Sequence, residues 1–235
     1  MIPAPTASLP DSYPAWRKPA LRDPVNGLLH FAGLLASLAG TAVLVYACRA
    51  DALKMLTAAI FGLSMCGCFM GSTLHHLVSG SRRTEMWLLK LDHAAIYPFI
   101  AGSYTPVCVH VLPGKGAIAL LGVVWALAIA GMVYKLRFAP DPATVEEPPG
   151  FIDTVLYIAM GWLAAFQAPQ IIAYSKEMTL QLALLGGMAY SIGAIILTRK
   201  YFDFWPGRFG HHEVWHLCVL LGASLVYAYV FLNIV

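Results

Sequence analysis

His212 and His216 stand four residues apart in His212-Glu-Val-Trp-His216, at the start of the last apolar stretch of the chain. On a helix, positions i and i+4 project from one face about one turn apart, so two imidazoles at this spacing can hold one divalent cation. A catalytic zinc takes three protein ligands and leaves a position for water. The third ligand must come from another element at the same depth. His76 meets that need: it ends an apolar stretch, and Ser72 precedes it by four residues on the same helical face. His75 carries the same chemistry. Adjacent helical residues point about 100° apart, so only one of the two faces the site, and the same holds for His211 and His212. The matching i,i+4 spacings of 72/76 and 212/216 favour His76 and His212. Asp92 opens the next apolar stretch at the same level. A metal brings the pKa of a bound water near neutrality. A carboxylate such as Asp92 can orient that water or take its proton. A hydroxyl such as Ser72 can donate to a developing oxyanion. His212-Glu213-Val-Trp-His216 also satisfies H-E-x-x-H, in which the glutamate is the general base of a metalloprotease.

The elements that position these groups follow from composition. The 235 residues are 59% hydrophobic and only 11% charged, against about 25% charged in a soluble domain. So few charges cannot cover a water-facing surface, which makes lipid the main solvent. An ordinary cytosolic enzyme, a disordered protein and a nucleic-acid binder are excluded. A bilayer core of about 30 Å needs ~20 apolar helical residues. Seven runs meet that length, near 25–47, 53–78, 87–111, 116–134, 152–173, 179–197 and 212–233. The expected fold is an all-α membrane protein, a seven-transmembrane helix bundle. Gly62, Gly67, Gly71 and Gly186-Gly187 are placed to let helices approach closely. Residues 1–22, with Pro3, Pro5, Pro10, Pro14 and Pro19 beside Arg17, Lys18 and Arg22, read as an uncleaved, flexible cytoplasmic arm, and 23–235 as the membrane domain. Cys48, Cys66, Cys68, Cys108 and Cys218 lie in or at the ends of apolar runs, as thiols rather than a disulfide scaffold.

Charge orients the bundle. With the N-terminus inside, Arg17, Lys18, Arg22, Arg82, Arg83, Lys90, Lys135, Arg137, Arg199, Lys200 and Arg208 face the cytoplasm. Only Arg49, Lys54, Lys115 and Lys176 face out. The positive-inside rule therefore places the N-terminus in and the C-terminus out, opposite to a G-protein-coupled receptor. A retinal protein is excluded because no lysine follows Lys200 to form its Schiff base. On this topology every histidine except His110 falls at the inner face: His30, His75, His76, His93, His211, His212 and His216.

Taken together, the segments carrying these residues resemble the hemolysin III family, within the wider group of progestin and adipoQ receptors and alkaline ceramidases. They are Asp23-Pro-Val-Asn26-Gly-Leu-Leu-His30, Ser72-Thr-Leu-His75-His76, Leu91-Asp92-His93-Ala-Ala-Ile-Tyr97 with Ala101-Gly-Ser-Tyr-Thr-Pro106, and His212-Glu-Val-Trp-His216-Leu. The resemblance implies seven helices, N-in and C-out, with zinc near the cytoplasmic side held by His76, His212 and His216. It further implies that Asp92 contacts the zinc water and that Ser72 lies beside it. His75 stands where the family usually has an aromatic, which keeps His75 open beside His76. Asp23 stands where bacterial members commonly have glutamate. Asp23, Asn26 and His30 read as supporting or helix-packing groups, Asp23 also as an N-cap ahead of Pro24.

By that resemblance the chain is expected to be a multi-pass membrane protein of the plasma or inner membrane. It would hydrolyse a lipid amide or ester, in ceramidase-like fashion, with Zn2+ as cofactor and a membrane lipid as substrate. The lipid tail is expected in an apolar cavity between helices, near the fifth span, where Gln167, Pro169 and Gln170 break the apolar run. The alternatives are a pore-forming or membrane-perturbing hemolysin, a seven-helix receptor with bound zinc, and an H-E-x-x-H intramembrane protease.

Overall fold

Among the described residues, helices account for nearly all the regular structure. The computed structural model describes residues 21–138, 151–205 and 209–235; most of the expected N-terminal arm (1–20) and Arg208 lie outside them. The described helices are α1 (Pro24–Ala47), α2 (Ala52–Leu77), α3 (Arg82–His110), α4 (Gly114–Val133), α5 (Phe151–Trp162), α6 (Ala168–Tyr174), α7 (Leu180–Arg199) and α8 (His211–Ile234). A π turn, Tyr134–Phe138, extends α4, and a 3-10 segment, Leu163–Gln167, joins α5 to α6.

Among the described residues, six spans are long and apolar enough to cross a membrane: Pro24–Ala47, Ala52–Leu77, Gly114–Phe138, Ile152–Tyr174, Leu180–Arg199 and His211–Ile234. The expectation of seven therefore differs at α3. This helix begins five residues ahead of its apolar run, because Ser81 caps it by accepting from the Thr84 N–H at 3.2 Å. Its first turns consequently carry Arg82, Arg83, Glu85, Lys90 and Asp92, and its hydropathy falls below that of the other six. Even so, α3 packs along both α2 and α4.

The distribution of polarity is inverted relative to a water-soluble protein. Large apolar side chains such as Ile118, Ile152 and Phe166 stand exposed on the outer surface. Asn26, His30, Ser72, His75, His76, Lys135, Asp153 and His216 are buried inside. Lipid solvates the outer groups at no cost, and the inner ones must find partners within the bundle. The outer surface and the buried polar groups thus fit the same bilayer.

Close helix approach uses particular glycines. A Cβ on Gly62 would lie 2.3 Å from the short Thr41 side chain, so that α1–α2 contact requires glycine, and a Cβ on Gly27 would lie 2.2 Å from the tip of Leu77, which packs into the space the glycine leaves. Gly67 meets nothing within 4 Å and does not serve this purpose. The contact at Gly27 draws the start of α1 against the end of α2, where the Asp23 N–H donates to the His76 carbonyl at 2.8 Å. The histidine-bearing helix ends are brought together in this way.

The fifth span breaks where Gln167 and Pro169 mark it, and α3 repairs the break. The Tyr104 hydroxyl donates to the Gly161 carbonyl at 2.6 Å and accepts from the Ala164 N–H at 2.9 Å. A switch from α to 3-10 pairing frees backbone groups that lipid cannot solvate. Tyr104→Phe removes both bonds and keeps the ring. It is expected to lower stability by about 1–3 kcal/mol, read as a fall in the unfolding midpoint of detergent-solubilised protein.

Candidate metal centre

The three sequence-selected histidines meet. One ring nitrogen from each of His76, His212 and His216 lies within 4.8 Å of the other two. His76 Nε2 and His216 Nε2 face each other at 3.2 Å. The His212 and His216 rings stack at 4.7 Å with 20° between their planes, as i,i+4 residues on one face of α8. His76 and His216 are only 2% and 3% exposed.

Each facing imidazole is held from behind. His76 Nδ1 donates to Asp23 Oδ2 at 3.0 Å, and Asn26 Nδ2 donates to the same oxygen at 2.8 Å. Burial opposes ionisation of Asp23, but these bonds outweigh it and hold the carboxyl well below its ordinary range, at about 2. Asp23 is thus an acceptor, which puts the His76 proton on Nδ1 and leaves a lone pair on Nε2. His216 Nδ1 pairs with His30 Nε2 at 2.6 Å. With Nδ1 engaged, His216 also turns its Nε2 toward His76. Either a proton or a cation must lie between two nitrogens so close. Ligands about 2.0–2.1 Å from a tetrahedral zinc stand roughly 3.3 Å apart, near the spacing seen here. The donor set of three imidazoles, backed by one carboxylate and a fourth imidazole, fits a divalent transition metal.

Rotation of α2 gives His75 and His76 different surroundings. His75 turns toward Arg22, whose Nη2 lies 3.1 Å from His75 Nε2. His75, His76 and Asp92 also form a set within 4.8 Å, but the guanidinium on His75 makes it a poor host for a second cation. Asp92 comes from α3 at the level of His76, beside Ser72, whose buried hydroxyl oxygen makes no hydrogen bond of normal geometry. Ser72, Asp92, His212 and His216 line one cavity of about 310 Å³. Much of the remaining wall is apolar, with Phe99, Val107, Leu120, Val219 and Val226, and the cavity reaches Leu112 and Tyr229 near the opposite helix ends. The broken fifth span contributes Gly161, Trp162, Ala164 and Ile171.

Glu213 has a different setting from the one a metalloprotease needs. Its Oε2 accepts from the Gly210 N–H at 2.7 Å, capping α8, and its Oε1 accepts from Asn26 Nδ2 at 2.7 Å. Both oxygens are therefore engaged away from the histidines, in joining α8 to α1. Sequence reasoning did not single out two further residues of this end of the bundle, Lys135 and Asp153. They form a buried ion pair between the π turn and α5. Their position at the margins of apolar runs gave them the look of loop-border charges.

A family model described as Haemolysin-III related matches residues 19–227. The chain belongs to the haemolysin-III family. The Hemolysin-3 homolog of Bacillus subtilis (strain 168) is 32% identical over 204 residues, covering 86% of this chain and 89% of its own. Hemolysin-3 of Bacillus cereus is 30% identical over 204 residues, covering 86% and 87%. The human Monocyte to macrophage differentiation factor is 27% identical over 208 residues, covering 86% and 80%. Membership of the haemolysin-III family and six apolar helices together make this an integral, multi-pass membrane protein.

Proposed function

We propose that this haemolysin-III protein is a zinc-dependent hydrolase of a membrane lipid amide or ester, with a ceramide-like amide as the leading substrate. The observation that carries the reading is the cluster of His76, His212 and His216 nitrogens, of which His212 and His216 line one end of a long, largely apolar cavity. His76, His212 and His216 would hold the ion. Bound there, zinc would polarise a carbonyl and make water acidic enough to ionise near neutral pH. Asp92 takes the proton released by water and passes it to the leaving amine or alcohol. Ser72, whose hydroxyl lies beside Asp92, donates to the oxygen that gains charge. The apolar walls receive the tail and exclude bulk water.

The same reading takes α3 as the seventh span and sets the N-terminus in the cytoplasm. Arg82, Arg83 and Lys90 on α3 then join Arg22, Arg199 and Lys200 at the inner face, with the metal centre. The relatives' name, hemolysin, points to membrane lysis. Among the described residues, however, the buried histidines, lysine and aspartate (His30, His75, His76, Lys135, Asp153 and His216) gather at one end instead of following a helix through the bilayer. This favours a closed site over a conducting path.

Purified protein should carry one zinc per chain and cleave ceramide, a simple acyl amide or a phospholipid ester, with activity lost to chelation. Zinc retained with no cleavage of any of the three would remove the hydrolase reading, and conductance in liposomes at low protein density would favour the pore. The protease mechanism is separated by one pair of variants. Glu213→Gln is expected to keep hydrolysis within about tenfold, because Glu213 acts as a helix cap. Loss of activity in Glu213→Gln with activity spared in Asp92→Asn would reverse the assignment.

A further inference from the structure

The cavity has a second polar station, set at the same end as the histidines but on other helices. The π turn after α4 brings Lys135 inward, where it is 5% exposed and pairs with Asp153 of α5, itself 6% exposed. Asp153, Thr154 and Tyr157 line the same cavity as Asp92, His212 and His216. The Tyr157 hydroxyl donates to the His93 carbonyl at 2.8 Å, tying this face of α5 to the turn that carries Asp92. Beside the pair, Tyr97 is 1% exposed and its hydroxyl finds no hydrogen-bond partner of normal geometry. Gly131, one turn before Lys135, makes room for it: a Cβ there would lie 2.3 Å from the Tyr97 ring.

A buried ion pair is weak as a source of stability, since desolvation offsets most of its attraction, and apolar residues of similar size would serve the fold as well. In a membrane span such a pair calls for a functional explanation. Here an acidic residue lines a cavity, its charge balanced by a lysine, with the buried phenol of Tyr97 packed against Tyr157 beside it. The pair is neutral overall. A neutral hydroxyl donor is therefore matched to it, whereas an ammonium or a phosphate would bring an uncompensated charge into a low-dielectric site.

We propose that Asp153, oriented by Lys135, is the headgroup-selecting residue of the cavity and accepts a hydroxyl on a neutral, hydroxylated lipid whose acyl linkage faces the histidines. This rests on the hydrolase reading above. The substrate class is narrowed to uncharged lipids with a hydroxyl near the scissile bond. Phosphocholine lipids and free amines are disfavoured.

The test uses zinc-loaded full-length protein in nanodiscs and compares N-oleoylethanolamine with N-oleoylpropylamine, which differ in that hydroxyl. Binding is read by native mass spectrometry and turnover by release of oleate. Wild type is expected to bind the hydroxylated amide about tenfold or more tightly, the discrimination worth one hydrogen bond to a charged acceptor. The double variant Lys135→Met/Asp153→Leu, which leaves neither charge unpaired, is expected to bind the two amides within about twofold, with its zinc content unchanged. Equal binding by wild type, binding of neither amide, or a preference that survives in the double variant would each overturn the proposal. Should the double variant fail to fold, the wild-type comparison decides alone. Selective binding with turnover of neither amide would leave this station standing and count against the hydrolase reading for simple acyl amides, with ceramide and phospholipid esters still to be assayed. Turnover without selectivity would do the reverse.

Discussion

His216→Ala is expected to strip the protein of its metal. His216 is the central member of the cluster: Nε2 faces His76 at 3.2 Å, Nδ1 is held by His30 at 2.6 Å, and its ring stacks on His212. Without it two imidazoles remain, on separate helices, with no third ligand to close the site. Loss of a supporting partner behind a metal ligand costs about 10–100-fold in affinity, and loss of a ligand itself should exceed that range. Zinc per chain, measured after dialysis against a weak chelator, should fall from one to near zero. Wild type should also unfold at a higher temperature with zinc than without. Free metal at about a thousand times its Kd adds roughly 4 kcal/mol. The variant should show no such difference. Retention of one zinc by His216→Ala would remove His216 from the ligand set and shift the site to the other group within 4.8 Å, His75, His76 and Asp92.

Asp92→Asn is expected to give the largest loss of rate with the metal still in place. The amide matches the carboxylate in shape but cannot take a proton from water. Removal of a positioned acid–base group lowers rates by about 10²–10⁴-fold. Asp92 sits at the level of His76 and next to Ser72, on the wall of the cavity. Turnover of a fluorescent lipid amide should fall by that factor while zinc content stays at one per chain. Activity within threefold of wild type would exclude Asp92 as the proton acceptor. Zinc lost together with activity would make it a ligand.

Much of this arrangement can be read from local patterns. Hydropathy over about 20 residues located the helices, and the i,i+4 rule placed His212 and His216 on one face of α8. Both patterns act within a single helix and need no partner. The start of α3 was missed because Ser81 extends the helix through a charged turn. The break in the fifth span was marked by Pro169, but its repair by Tyr104 on α3 was hidden, since the two lie about 60 residues apart. Glu213 looked like a catalytic base in sequence, and in space it caps α8 and binds Asn26, at a separation of 187 residues.

The choice of His76 over His75 shows where local pattern ends. Sequence alone established that one of two adjacent imidazoles faces the site, that the chain is helical, and that lipid surrounds it. The rotation of α2 about its axis gives the two different partners, through Gly27 against Leu77, Asp23 on His76 and Arg22 on His75, and the proposed ligand set rests on that difference. The pairing of Lys135 with Asp153 arose in the same way, from the π turn and the seat that Gly131 leaves for Tyr97. Lipid tails are as apolar as the side chains they meet, so the hydrophobic effect inserts these helices without fixing their rotation. Rotation depends on close packing and buried hydrogen bonds between distant residues, and those exist only in the folded bundle.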